Sequence, residues 1–250
     1  QGQAGNLAKT SRYGSPGQRL MPEPALPRGV GRAECARLRL PGLPLPMLRV
    51  HGLACDRGDR RLFSDVDFSV ATGEWLQIEG ANGAGKTSLL RILAGLAPAA
   101  GGQIEWDKQP VSKVRDEFHA RLLYLGHAAT IKDDLSALEN LQTAAAVAGS
   151  PLEESVALQA LRRIGLKGRE DLPSRVLSQG QKRRVALARL LCSQARLWIL
   201  DEPFVALDVA AVDLLCGILD EHLARGGMLL FTSHQAVHLA GTGSSLRLGK

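Results

Sequence analysis

A strand-like run, Trp75-Leu76-Gln77-Ile78-Glu79, enters Gly80-Ala81-Asn82-Gly83-Ala84-Gly85-Lys86-Thr87, and from Thr87 to Ala94 the chain takes up the apolar period of a buried helix. A G-x-x-x-x-G-K-[ST] segment between strand and helix leaves few folds open. The turn must direct successive backbone N–H groups inward, while the following helix N-terminus adds partial positive charge behind them. Glycines at 80, 83 and 85 permit that curl because they carry no Cβ. What such a cradle accepts is a phosphate group. Lys86 is expected to reach the β and γ phosphates of a nucleoside triphosphate, the Thr87 hydroxyl to coordinate Mg2+, and Ser88 to complete the nucleotide-binding set.

The rest of the chain has the organisation this turn requires. Leu48 to Leu53 and Leu62 to Val70 alternate like strands around a charged turn at Asp56 to Arg60. Val114 to Leu177 reads as mostly helical, with Ala137 to Ala148 and Leu152 to Ile164 its clearest members. The last third alternates helix and short apolar strand: Ser178 to Leu191, Leu197 to Leu200, Val209 to Leu223 and Met228 to Phe231. Such alternation predicts an α/β fold, a parallel sheet with helices packed on it.

Residues 1 to 46 are of another kind. They hold seven of the twelve prolines and no sustained apolar period, which predicts a largely disordered tail before a domain at 47–250. Two origins fit it: extra translated sequence ahead of a start at Met47, or an organelle-targeting presequence. The tail also carries five of the six net positive charges, so the folded part is nearly neutral. The run Lys182-Arg183-Arg184 is therefore expected to be a solvated helix face, and no nucleic-acid partner is expected. Cys35, Cys55, Cys192 and Cys216 lack metal-ligand spacing and read as reduced, packing cysteines. The apolar runs are too short for a transmembrane helix.

A second chemical element follows the helical middle section. Arg196-Leu197-Trp198-Ile199-Leu200-Asp201-Glu202 is an apolar strand ending in two acids, and ligands of open parallel sheets gather at the carboxyl ends of strands. Asp201 is expected to hold Mg2+ through water, and Glu202 to orient and deprotonate a water attacking the γ-phosphate. Upstream, Leu177-Ser178-Gln179-Gly180-Gln181 reads as a helix start. Ser178 is the cap, Gln181 closes a capping box, and Gly180 leaves its N–H open to an anion.

Together these residues resemble the ATP-binding cassette (ABC) ATPases. Residues 177–181 are similar to the L-S-G-G-Q signature, with Gln179 in place of its first glycine, and Ala206-Leu207-Asp208 is similar to the family's D-loop. The resemblance runs from about Met47 to the C-terminus. It implies a P-loop NTPase fold with a parallel-sheet core, an antiparallel β subdomain and a helical subdomain. It also implies a head-to-tail homodimer with two ATP molecules sandwiched between subunits. Ser178, Gly180 and Gln181 would then meet nucleotide held by the partner's phosphate loop, and His234 the γ-phosphate in its own subunit. Hydrolysis would release the dimer.

Within the family, Gly73 to Ile78, Leu138-Glu139-Asn140-Leu141, Glu170-Asp171-Leu172-Pro173, Leu197 to Phe204 and Thr232-Ser233-His234-Gln235 resemble members that energise haem export for cytochrome c maturation. So does Leu125-Gly126-His127, where His127 stands at the position of the Q-loop glutamine of most ABC ATPases. That likeness implies nucleotide sensing by His127, integral membrane transporter subunits as partners, and a peripheral location on the cytoplasmic face of the bacterial inner membrane, or the matrix side of an organelle. No haem-ligand motif is present, so no direct haem binding is expected. A soluble ABC-type ATPase of an assembly machine, such as iron–sulfur cluster assembly, is the alternative. The family's adenine-stacking aromatic is replaced by Cys55-Asp56-Arg57-Gly58. There the Arg57 guanidinium is the candidate base platform, and modest discrimination between ATP and GTP is expected.

Overall fold

The computed structural model describes residues 46–128 and 130–249, so the expectations for the tail fall outside the described residues apart from Pro46, which begins the first strand. Strands β1 (Pro46–Arg57) and β2 (Arg60–Ala71) form a long antiparallel hairpin closed by Gly58-Asp59. Strand β3 (Glu74–Glu79) leads through the glycine-rich turn into α1 (Lys86–Leu93). Strands β4 (Gly101–Trp106) and β5 (Gln109–Pro110) return to the hairpin, giving an antiparallel sheet of order β2-β1-β4-β5.

After α2 (Arg115–Ala120) and β6 (Leu122–Leu125), helices α3 (Ala137–Val147), α4 (Glu154–Arg163) and α5 (Gln179–Cys192) pack around a shared core. Then come β7 (Leu197–Leu200), α6 (Val209–Ala224), β8 (Met228–Thr232) and β9 (Thr242–Arg247). The second sheet has the order β6-β7-β8-β3-β9, and every pairing in it is parallel. The α/β class and both subdomains expected from the resemblance are present.

The two sheets share one support. Every residue of β7 and β8 is buried, as central parallel strands covered on both faces should be. Alternate side chains of β7 enter different cores: Trp198 and Leu200 join the helical cluster, whereas Leu197 and Ile199 join α1 and the hairpin. Trp198 stacks on His222 of α6 with ring centroids 3.7 Å apart. Burial pulls the His222 pKa down to about 4, so the ring is neutral at pH 7 and Nε2–H donates to the Met228 carbonyl at 3.2 Å.

Four strands lie outside those the sequence predicts, among them the two-residue β5. β6 lies within the stretch read as mostly helical, because four apolar residues do not distinguish a buried strand from a helical turn. β4 opens on two glycines, and β9 is an exposed edge of sequence Thr-Gly-Ser-Ser-Leu-Arg. Neither alternates strongly. β9 is held by its pairing with β3 rather than by propensity. Among the described residues Cys55, Cys192 and Cys216 are free thiols, and burial is the first cause of a raised pKa in each.

Candidate functional site

The strand order brings four carboxyl ends to one edge of the parallel sheet. β3 ends in the glycine-rich turn, β6 in Gly126-His127, β7 in Asp201-Glu202, and β8 in Ser233-His234. An open cleft of about 370 Å³ lies there, lined by Arg57, Leu62, Ala81, Asn82, Gly83, Gly85, Lys86, Thr87, Ser88, His127, Glu202 and His234. Residues separated by more than a hundred positions in the chain thus share one wall.

The turn has the conformation its glycines permit. Gly80, Gly83 and Gly85 stand at φ 145, 80 and 99, a region closed to most side chains. The Ala84 N–H donates to the Ala81 carbonyl at 3.1 Å, which tightens the loop. Lys86 Nζ reaches back across it to the Gly80 carbonyl at 2.7 Å, so the ammonium lies over the curl that the N–H groups line.

At the end of β7 the two acids occupy different settings. Asp201 is 1% exposed. Its Oδ1 accepts the Thr232 hydroxyl at 2.8 Å, and its Oδ2 is buried with no hydrogen-bond partner among the described residues. A buried carboxylate oxygen without a donor is costly, and it is the atom that a cation or its water shell would satisfy. Thr87, which lines the cleft, and Asp201, which is not among its lining residues, both carry the hard oxygen donors that Mg2+ prefers.

Glu202 lines the cleft at φ 50, a backbone state worth about 1–3 kcal/mol of strain for a residue with a side chain. Its N–H donates to Thr232 Oγ1 at 2.8 Å, and its Oε1 lies 3.2 Å from His234 Nε2. The Thr232 hydroxyl thus accepts from one acid's backbone while donating to the other acid's side chain.

The signature residues are elsewhere. Ser178 caps α5 in a reciprocal capping box: the Gln181 N–H donates to Ser178 Oγ at 3.2 Å and the Ser178 N–H to Gln181 Oε1 at 2.9 Å. A Cβ on Gly180 would stand 2.7 Å from the Ala206 carbonyl, so only glycine lets α5 lie this close to residues 206–208. None of Ser178, Gly180 and Gln181 lines the cleft that holds Lys86 and Glu202.

The basic run on α5 corrects the expectation of a solvated face. Lys182 pairs with Asp133, and Arg184 makes two bonds of 3.0 and 2.8 Å to Asp208, which also caps α6. Arg183 is 6% exposed and its guanidinium donates to the carbonyls of Gly126, His127, Asp201 and Glu202. Burial lowers its pKa, while the charges of Asp201 and Glu202 push the other way. One signal was readable: Arg183 shares a helix face with Leu187 and Leu190, both buried.

Asn140 and Thr232 also went without a role in the sequence. The two N–H hydrogens of the Asn140 amide are shared among the carbonyls of Lys132, Leu135 and Ser136 and Ser174 Oγ, all 2.9–3.1 Å away, and its Oδ1 accepts from the Lys132 N–H. It fastens the segment after His127 to the segment before Ser178. A polar residue in an apolar helix, and a threonine ending the run Met-Leu-Leu-Phe, mark such sites without saying what they bind.

Known proteins resemble this chain in sequence and in fold. Residues 63–205 match the ABC transporter family. The cytochrome c biogenesis ATP-binding export protein CcmA of Dechloromonas aromatica is 56% identical over 204 residues, covering 81% of this chain and 100% of that protein. The protein of the same name from Nitrosomonas europaea is 54% identical, covering 77% of this chain and 90% of its own. Among solved structures, a putative ABC transporter ATP-binding protein from Pyrococcus furiosus superimposes with a TM-score of 0.70 at 23% identity, covering 80% of this chain and 96% of that one. An ABC transporter ATP-binding subunit superimposes with a TM-score of 0.66 at 28% identity, covering 75% and 80%. The chain is an ABC ATPase and belongs to the ABC transporter family, within its CcmA group of cytochrome c biogenesis ATP-binding export proteins.

Proposed function

We propose that the chain is the ATP-hydrolysing subunit that drives haem export, or release of haem from its chaperone, during cytochrome c maturation. In this reading two copies close head to tail on two ATP molecules and dock on integral membrane subunits at the cytoplasmic face. The observation that carries it is the split site. The cleft of one subunit offers a phosphate loop, a base and a histidine, while Ser178 and Gly180 stand outside it on a helix start suited to an anion. A second copy is what unites them. Among the described residues no helix is long and apolar enough to cross a membrane, so transport calls for partner subunits.

In the cleft, the loop from Gly80 to Lys86 binds the β and γ phosphates through backbone N–H groups, with Lys86 transferring from the Gly80 carbonyl to a phosphate oxygen. Thr87 and Asp201 would hold Mg2+, which supplies charge neutralisation on the phosphates when bound. Glu202 takes a proton from the attacking water as its oxygen bonds to the γ-phosphorus and the bond to the β–γ bridging oxygen breaks, leaving ADP and phosphate. His234, beside Glu202, contacts the γ-phosphate and holds the carboxylate in its place. His127 lines the cleft and senses the nucleotide from the β6 end.

The assembly-factor alternative is disfavoured by the export proteins that resemble the chain over most of its length. Co-purification from solubilised membranes tests the assignment. Recovery with integral membrane subunits is the expected outcome, and recovery of the protein alone in the soluble fraction would sink it.

A further inference from the structure

Hydrolysis as described makes no use of Arg183, yet this side chain lies between the two strand ends that carry the chemistry. Its Nη1 donates to the carbonyls of Gly126 at 3.2 Å and His127 at 3.1 Å, and its Nη2 to those of Asp201 at 3.0 Å and Glu202 at 2.7 Å. A guanidinium is planar and its donors form a rigid fork, so the two pairs of carbonyls cannot drift independently while the fork is engaged. Glu202 has particular need of such a hold. Its left-handed backbone persists only where the surroundings over-determine it, and it is gripped from both sides: N–H by Thr232, C=O by Arg183.

We propose that Arg183 is a positioning residue for hydrolysis, whose guanidinium binds the backbones of Gly126, His127, Asp201 and Glu202 together and so sets the Glu202 carboxylate relative to the histidine-bearing loop. Displacement of that loop by nucleotide or by a membrane partner is then passed to the base through one side chain. The inference rests on the reading of Glu202 as the base. A lysine would keep the charge but not the fork, and a glutamine would keep fewer donors and no charge. Arg183 is buried and either variant leaves backbone carbonyls with fewer donors, so the melting temperature is read beside turnover to separate lost positioning from lost fold.

The test uses the full chain carrying Arg183→Lys or Arg183→Gln, alone and combined with Glu202→Gln, with steady-state and single-turnover ATPase rates beside ATP affinity and melting temperature. Arg183→Lys should lower kcat by about tenfold or more while leaving KM and ATP affinity within about threefold, and Arg183→Gln should lower kcat further. In the Glu202→Gln background the same substitutions should produce no additional loss, because they act through that carboxylate. Full turnover in both single variants, a loss confined to KM, or an undiminished loss on top of Glu202→Gln overturns the proposal. Full turnover in Glu202→Gln alone removes the base assignment and this inference with it, whereas independent losses remove only this inference.

Discussion

The phosphate loop and the acidic end of β7 line the same cleft but are built by opposite means. The loop is assembled almost wholly from neighbours in sequence: three glycines in left-handed or extreme conformations, an internal bond from Ala84 to Ala81, and a lysine folded back on Gly80. The end of β7 is held by residues far away in the chain, Thr232 from β8 and Arg183 from α5, each placed there by strand order and helix packing. A phosphate needs a ring of backbone donors, which a short segment supplies. A carboxylate in the role proposed for Glu202 needs one orientation, which no short segment secures. Damage to the loop should therefore appear as lost binding, and damage to the β7 end as lost turnover.

The largest effect belongs to the β7 end. Glu202→Gln should lower ATP turnover by about a hundredfold or more, keep ATP affinity within about threefold, and accumulate a closed dimer in the presence of ATP and Mg2+. Wild-type turnover in that variant, read by phosphate release, would break the comparison at its centre. Next comes Lys86→Ala, expected to weaken ATP binding by roughly thirtyfold, about 2 kcal/mol, with the melting temperature little changed. Unaltered affinity in an equilibrium titration would show that the loop does not act through its lysine.

A smaller effect probes the scaffold beneath the acids. With a pKa of about 4 against an ordinary 6.5, His222 binds its proton in the unfolded chain first, so its contribution is complete above about pH 6.5 and declines as the pH falls toward 4. Wild-type stability should drop by about 1 kcal/mol between pH 7.5 and 5.5 on this account. His222→Gln should start less stable and lose less over that interval; denaturant melts at the two pH values compare them, and equal slopes would exclude the His222 mechanism. The smallest effect is expected at Arg57. Among the described residues no Phe, Tyr or Trp lines the cleft, so Arg57→Ala should weaken ATP and GTP binding alike by about threefold. A hundredfold preference of the wild type for ATP in matched turnover assays would show that the base is recognised some other way.

Much of the fold is legible in the sequence. The sequence predicts β7 to the residue, and α1, α3, α5 and α6 to within a residue or two at their ends, because apolar periods and capping residues are local signals. β4, β6 and β9 escaped because their order comes from pairing partners. Arg183 departs from its sequence expectation for a related reason: a charge in a basic run belongs to solvent unless something distant offers it carbonyl oxygens, and here those of Gly126, His127, Asp201 and Glu202 do so from two strand ends.

The amino-acid sequence by itself determined the phosphate cradle, the apolar strand with its two acids and the capped start of α5, since each depends on residues a few positions apart and on backbone preferences that act at that range. Only the tertiary structure decided that Thr232 would join Asp201 to Glu202 and that Arg183 would join β6 to β7. Those outcomes depend on which strands become neighbours and which helix face is buried. They are settled by packing across the whole sheet, to which any short stretch of sequence contributes only a part.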